Sequence, residues 1–356
     1  MKKAIIAMSG GVDSSVAAYL IKQQGYETVG VTLKLFSNED IGECATKTCC
    51  SMKDVEDAKS VSFKLGIKHY VLNFTEYFKK EVIRRFIESY EKGFTPNPCI
   101  DCNRFIKFDR LLNKADEMGF DYIVTGHYAV ISYDDMSNRF ILKKSVDEKK
   151  DQSYVLYQLT QKQLSKTLLP LGNMRKSKIR SIALQQDFIN AKKDDSQDIC
   201  FVRDGNYSKF IENYTGKKNI EGDFLDIKGN IIGRHKGIIN YTIGQRKGLG
   251  LNFHKRLFVC DKDIKKNTVT LGSPDDLFSK SLEASDINLI ACSKIEKPIR
   301  VKARVRYNQK EEFATVEQTG DDRLHIEFDF PQRAVTKGQA VVLYDNDIVI
   351  GGGTII

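Results

Sequence analysis

The chain has 356 residues, 41% of them hydrophobic and 29% charged, with a formal net charge of +9 and eight cysteines. That length exceeds what one hydrophobic core supports, so two or three domains are expected, and no stretch approaches the ~20 consecutive apolar residues of a membrane helix. The start, MKKAIIAMSGG, is a basic pair and a short apolar run rather than an export signal. The expected setting is therefore the cytoplasm, where cysteines stay reduced for chemistry, metal binding or core packing.

A strand is expected over 4–8, running into Ser9, Gly10 and Gly11 and then into a helical pattern over 14–24. Glycines let backbone N–H groups approach an anion, and the helix N-terminus adds the positive end of its dipole. The loop has no lysine before its Ser14, so it is not a Walker A motif. The string SGGVDS resembles the PP-loop of N-type ATP pyrophosphatases, which implies ATP with Mg²⁺, pyrophosphate as leaving group and AMP as the transferred group. In that reading Asp13 helps to hold the metal.

Further strands are expected over 28–33, 69–74 and 121–125, with helices over 52–65, 75–90 and 108–118 between them. Alternation of this kind implies an α/β fold with a parallel sheet covered on both faces. Ligands bind beyond the carboxyl ends of such strands, which gathers 9–14, Leu33 and the Thr125-Gly126-His127 turn around one crevice. Between Gln161 and Lys193 eight Lys and Arg face one acid, Asp187. Either a solvated helix or a contact with RNA phosphates accounts for that excess. From about Gly222 short alternating runs and turns predict β-structure. Val301, Ala303 and Val305 alternate with Lys302, Arg304 and Arg306, and Leu324, Ile326, Phe328 and Phe330 repeat the pattern. A small C-terminal β-barrel is expected.

Cys260 and Cys292 sit in apolar runs and read as small core residues. Cys44, Cys49 and Cys50 lie in a polar stretch and receive no assignment. Cys99 and Cys102 form a CxxC in TPNPCIDCN at the entry to a helix, where the dipole, Arg104 and Lys107 favour a thiolate. One CxxC is not a zinc site, which needs four ligands.

The order of AMSGGVDSSV, FTPNPCIDCNRFIKF, DYIVTGHYA, KDQSYVLYQL, LPLGNMRKSKIR, AKKDDSQDICF, GRHKGIINYTIGQRKGLG and VTKGQAVVLY resembles the tRNA-specific 2-thiouridylase family from end to end. The resemblance implies a PP-loop domain with a helical extension (1–205), a small β-rich central domain (206–280) and a β-barrel (281–356). It implies ATP binding by Ala7, Met8, Ser9, Gly10, Gly11, Val12, Asp13, Ser14, Leu33 and Gly126, with Cys102 as nucleophile and Cys200 as persulfide carrier. Asn97, Pro98 and Cys99 would face the target base, and His127, Lys150, Asp151, Gln152, Arg306, Tyr307 and Gln339 would touch tRNA. A sulfur-relay protein or cysteine desulfurase is the implied donor.

Many relatives carry Asp where this chain has Cys99. Two routes therefore stand side by side: a persulfide on Cys200, or a [4Fe-4S] cluster held by Cys99, Cys102 and Cys200. A PP-loop enzyme acting on a small molecule would need no basic barrel or distant cysteine pair, and an RNA-binding protein without catalysis would need neither Cys102 nor Cys200.

Overall fold

A computed structural model describes residues 1–37, 52–195, 199–202, 205–251 and 255–356. Cys44, Cys49 and Cys50 lie outside the described residues. The first strands are β1 (Lys3–Ala7), β2 (Glu27–Lys34), β3 (Lys68–Asn73) and β4 (Tyr122–Val124). A hairpin of β5 (Val130–Asp134) and β6 (Arg139–Lys143) precedes the two-residue β7 (Thr167–Leu168). The N-terminal sheet has the order β3-β2-β1-β4-β7 and is parallel throughout.

Ala4, Ile5 and Ile6 on central β1 are fully buried, as a strand covered on both faces requires. On one face Val16, Ala17 and Ile21 pack with Ala58, Val61, Ile179 and Ile182. On the other, Ile5, Val31 and Leu33 pack with Phe78, Val82, Phe86 and Ile106. Strand order reverses at β1, so the segments leaving β1 and β4 diverge and open a crevice between them.

The helix expected over 75–90 is present as Thr75–Phe78, a π-helical Lys79–Ile83 and Arg84–Glu91. The helix expected from 108 begins ten residues earlier, as Pro98–Asp101, a π-helical Cys102–Arg110 and Leu111–Glu117. Asn97 caps it by accepting a hydrogen bond from the Cys99 N–H at 3.1 Å, and Pro98 supplies the fixed φ of a first helical residue. The π-helical stretch departs from the 3.6-residue period, which hides its start from pattern reading.

The central domain holds β8 (Gly222–Leu225), β9 (Ile231–His235), β10 (Phe258–Asp263) and β11 (Thr268–Gly272) in the order β10-β11-β8-β9. Phe224, Tyr241, Val259, Val269 and Leu271 fill its core. The last strands are β12 (Phe278–Leu289), β13 (Ile299–Arg304), β14 (Glu312–Gly320), β15 (Arg323–Arg333), β16 (Ala340–Asp345) and β17 (Ile348–Ile355). Pairing of β12 with β17 closes these six into a barrel, and the β5–β6 hairpin joins it through Ile348 and Lys143. The hairpin thus ties the N-terminal segment into the C-terminal sheet.

Leu324, Ile326 and Phe328 point into the barrel as expected, but Phe330 is 71% exposed. Pairing jumps from Ser279↔Gln332 to Ser281↔Glu327, so Phe330 lies in a bulge where the inward-outward alternation is lost.

Candidate active site

The loop after β1 is built to present backbone. Gly10 has φ +74, and a Cβ there would meet the Asp54 carbonyl oxygen at 2.3 Å, so only glycine fits. The Gly10 carbonyl accepts from Asn190 Nδ2 at 3.0 Å and Lys193 Nζ at 3.1 Å. The Gly11 carbonyl accepts from the Ser14 and Ser15 hydroxyls, each at 3.0 Å. With these carbonyls held, the loop leads into helix Val12–Gln23, whose first N–H groups have no intrahelical acceptor. Gly126, after β4, packs on the loop so closely that a Cβ would lie 2.8 Å from Ser14 N.

Behind the loop lies an ion-pair network that the sequence did not reveal. Lys176 Nζ is 2.8 Å from both Asp13 carboxylate oxygens and 2.6 Å from Asp195 Oδ1. The Tyr128 hydroxyl donates to Asp13 Oδ1 at 2.6 Å. Lys150 Nζ and Arg180 Nη2 reach Asp195 at 2.7 and 3.5 Å. Burial alone would raise the Asp195 carboxyl; Lys150 and Lys176 hold it below the usual carboxylate range instead. Lys193 Nζ bridges Asp54 at 2.5 Å and Asp57 at 2.7 Å while touching the loop. So a lysine stands beside the loop although none stands in it. It comes from the basic stretch 161–193, of which Lys166, Lys176, Arg180 and Lys193 are all in ion pairs.

The crevice is a cavity of about 720 Å³. Ala7, Met8, Ser9, Gly11, Val12, Asp13, Ser14, Leu33 and Gly126 line one part, and Pro98, Cys99, Cys102, Cys200, His127, Lys150, Gln152 and Tyr307 also line it. Cys99 is exposed, Cys102 buried and Cys200 half-buried. Arg104 does not stay with the CxxC: it bonds Asp286 at 2.6 Å and stacks on Phe105. Between the cysteines, Asp101 has its carboxyl pushed up to about 7 by burial, with Arg85 and Arg104 opposing. Among the described residues, no three His, Cys, Asp or Glu side chains converge as a metal-ion site.

His127 is buried, with Nδ1 2.8 Å from the Thr125 hydroxyl and its ring against Phe108. Burial, then Lys107, lowers its pKa well below the usual value, so it is neutral at pH 7. Gln152 Oε1 accepts from the Tyr128 N–H at 3.0 Å. Four of the expected residues lie outside the cavity lining in supporting positions, and Gly10 makes a fifth. Asn97 caps the CxxC helix, and Gln339 Nε2 donates to the Thr95 carbonyl at 2.6 Å, pinning the approach to it. Asp151 is buried, accepting from Ser145 N and Ser153 Oγ at 3.0 and 2.8 Å. Arg306 Nη2 donates to the carbonyls of Ile243 and Ala334 at 3.0 and 2.9 Å, joining central domain to barrel. Arg304 turns inward to Glu311 at 2.7 Å.

Three family profiles match the chain in succession: "tRNA methyl transferase HUP domain" over 2–204, "tRNA methyl transferase PRC-barrel domain" over 208–273 and "Aminomethyltransferase beta-barrel domain" over 279–355. The chain is 53% identical over 354 residues to the tRNA-specific 2-thiouridylase MnmA of Clostridioides difficile, covering 99% of this chain and 98% of that one. It is 52% identical to the enzyme of the same name from Acetivibrio thermocellus, covering 99% of each. It is 49% identical to tRNA-specific 2-thiouridylase MnmA 2 of Caldanaerobacter subterraneus, covering 99% of this chain and 97% of that one. With three profiles in register with three folded units and half its residues shared end to end, the chain belongs to the tRNA-specific 2-thiouridylase family.

Proposed function

We propose that the protein is an ATP-dependent sulfurtransferase that converts a wobble uridine of tRNA to 2-thiouridine. The observation that carries this reading is the single cavity shared by the PP-loop and by Cys99, Cys102 and Cys200. A methyltransferase, as the profile descriptions would suggest, has no use for a pyrophosphate-type loop facing cysteines. The 1–205 unit carries the chemistry, and 206–280 and 281–356 serve RNA binding. Among the described residues no helix is long and apolar enough to cross a membrane, in keeping with work on tRNA in the cytoplasm.

The uracil O2 attacks the α-phosphorus of ATP and pyrophosphate departs, leaving C2 activated as an AMP ester. Loop N–H groups and Lys193 stabilise the developing charge. A magnesium ion bound with the triphosphate would use Asp13 and phosphate oxygens, the usual arrangement of one or two carboxylates plus substrate. It would neutralise phosphate charge. The terminal sulfur of a Cys200 persulfide, loaded by a sulfur-relay protein or cysteine desulfurase, attacks C2 and AMP leaves. The Cys102 thiolate then attacks Cys200 Sγ, breaking the S–S bond to the base. Thiouridine is released, and the resulting Cys102–Cys200 disulfide is reduced by an external thiol.

Neutral His127 and Gln152 offer hydrogen bonds rather than charge to the extruded base. Arg306 and Gln339 act as struts that hold the barrel against the site. Activation precedes sulfur transfer in this sequence, so Cys102→Ser and Cys200→Ser should each release one pyrophosphate per bound tRNA and make no thiouridine. Loss of pyrophosphate release in both variants would refute the order.

A further inference from the structure

Some of the cations expected at an RNA backbone are committed within the fold: Lys176 to Asp13 and Asp195, Arg180 to Asp195, Lys193 to Asp54 and Asp57, Arg304 to Glu311, Arg306 to backbone carbonyls, while Lys162, Arg175, Lys178 and Lys192 stay exposed. A second concentration of exposed positive charge lies in the central domain. Between Asp226 and Asp261 the sequence contains no acidic residue. Within that interval Arg234, Lys236, Arg246, Lys247, Lys255 and Arg256 are all exposed. Among the described residues none of these six exposed side chains takes part in an ion pair, unlike half-buried cations such as Lys150, Lys166, Lys193 and Arg304.

The fold brings two of the basic pairs together. The Gly244 N–H donates to the Val259 carbonyl at 2.8 Å and the Val259 N–H to the Gln245 carbonyl at 3.0 Å, so Arg246-Lys247 and Lys255-Arg256 flank one short ladder. Arg333 of the barrel joins them: its guanidinium lies over the Phe258 ring and within reach of Gly244. Gly248 and Gly250 have φ of +77 and +71, yet a Cβ on Gly250 would meet nothing within 4 Å. Glycine is required there for backbone conformation in an open turn, a form that exposes N–H groups to an anion. From 232 to 277 the described residues include no exposed large hydrophobic. Protein interfaces depend on buried aromatic and aliphatic anchors, whereas phosphate backbones are held by charge and backbone donors.

We propose that this face of the central domain, centred on Arg246, Lys247, Lys255 and Arg256, is a docking surface for the phosphate backbone of the tRNA. The proposal rests on tRNA being the substrate. Docking by counterion release makes log affinity linear in log salt, with about 0.7–0.9 of slope per neutralised phosphate.

The test is tRNA binding by the full-length protein in a salt series from about 50 to about 200 mM, a range over which such contacts are strongly expressed. Wild type is compared with R246Q/K247Q/K255Q/R256Q and with a control, K265Q/K266Q, in the acid-containing β10–β11 turn of the same domain. The fourfold variant should lose about 3 units of slope, so that over this range its affinity changes about 60-fold less than that of wild type. The control should keep the wild-type slope, and thiolation by the fourfold variant at saturating tRNA should keep its kcat. An unchanged slope in the fourfold variant overturns the proposal, as does an equal loss per charge in the control. Loss of sulfur delivery from a donor protein with tRNA binding intact would assign the face to the donor instead and likewise overturn it. Absence of tRNA binding by wild type would overturn the substrate reading itself, a result distinct from either.

Discussion

Replacing Lys176 by Met removes the cation that holds Asp13 while keeping the aliphatic stem. The Lys176 side chain is 11% exposed, against 29% for Asp13 and 26% for Asp195, at separations of 2.6 to 2.8 Å. Removing one partner of a fully buried pair costs about 3–5 kcal/mol. Here both acids are about a quarter exposed and keep other partners, Tyr128 for Asp13 and Lys150 with Arg180 for Asp195. Solvent screening and those remaining contacts reduce the expected cost to roughly 1–3 kcal/mol. Thermal unfolding of Lys176→Met, Asp13→Ala and the double variant measures it, with an expected coupling of about 1–2 kcal/mol between the two sites. Adenylation should fall by about 10²-fold in Lys176→Met, since Asp13 loses its fixed position, and should recover in part in Lys176→Arg. A Lys176→Met protein within about 0.5 kcal/mol of wild type, or additive single effects, would refute the linkage.

Asp13→Ala should abolish thiolation while leaving tRNA affinity within about twofold, read by a filter-binding assay beside the activity assay. Asp101, with a carboxyl raised to about 7 from an unfolded value near 3.8, contributes stability that is complete below the unfolded value and lost as pH rises through 7. In Asp101→Asn the thermal midpoint should therefore change less between pH 4 and pH 7 than in wild type, and parallel curves would remove Asp101 as the cause. Arg306→Ala should cost about 1–3 kcal/mol, because two carbonyls lose their donor, and should leave the salt slope of tRNA binding unchanged; a slope lowered by nearly one unit would make Arg306 a phosphate contact. Iron-free wild type should be fully active with a persulfide donor, and Cys99→Asp should match it; activity proportional to bound iron would overturn the persulfide route.

The strands of the N-terminal parallel sheet and the position of the loop followed from local pattern. The run of Ala4, Ile5 and Ile6 is buried on both faces, and Gly10 sits at φ +74 where a Cβ would strike the Asp54 backbone. The carboxyl-end rule then brought Thr125, Gly126 and His127 to the same crevice. What pattern could not supply were partners distant in sequence. Nothing in the basic stretch distinguishes Lys176 and Lys193, which turn inward to Asp13, Asp54 and Asp57, from Lys178 and Lys192, which stay exposed. Alternation correctly placed Val301 and Ala303 in the barrel, but it could not show that the opposite face of β13 would meet Glu311 and Asp151 at Arg304. Phe330 fails for a related reason, since a bulge breaks the period on which the reading depends. Conversely, the acid-free interval from Asp226 to Asp261 can be read from the sequence, but only the fold shows that two of its basic pairs flank one short ladder.

The most direct test of the central claim is analysis of the nucleotide products of wild-type protein with ATP and a persulfide donor, with and without tRNA. AMP and pyrophosphate in equal amounts, one of each per thiouridine and only when tRNA is present, is the predicted result. ADP and phosphate, or AMP formed at the same rate without tRNA, would contradict it.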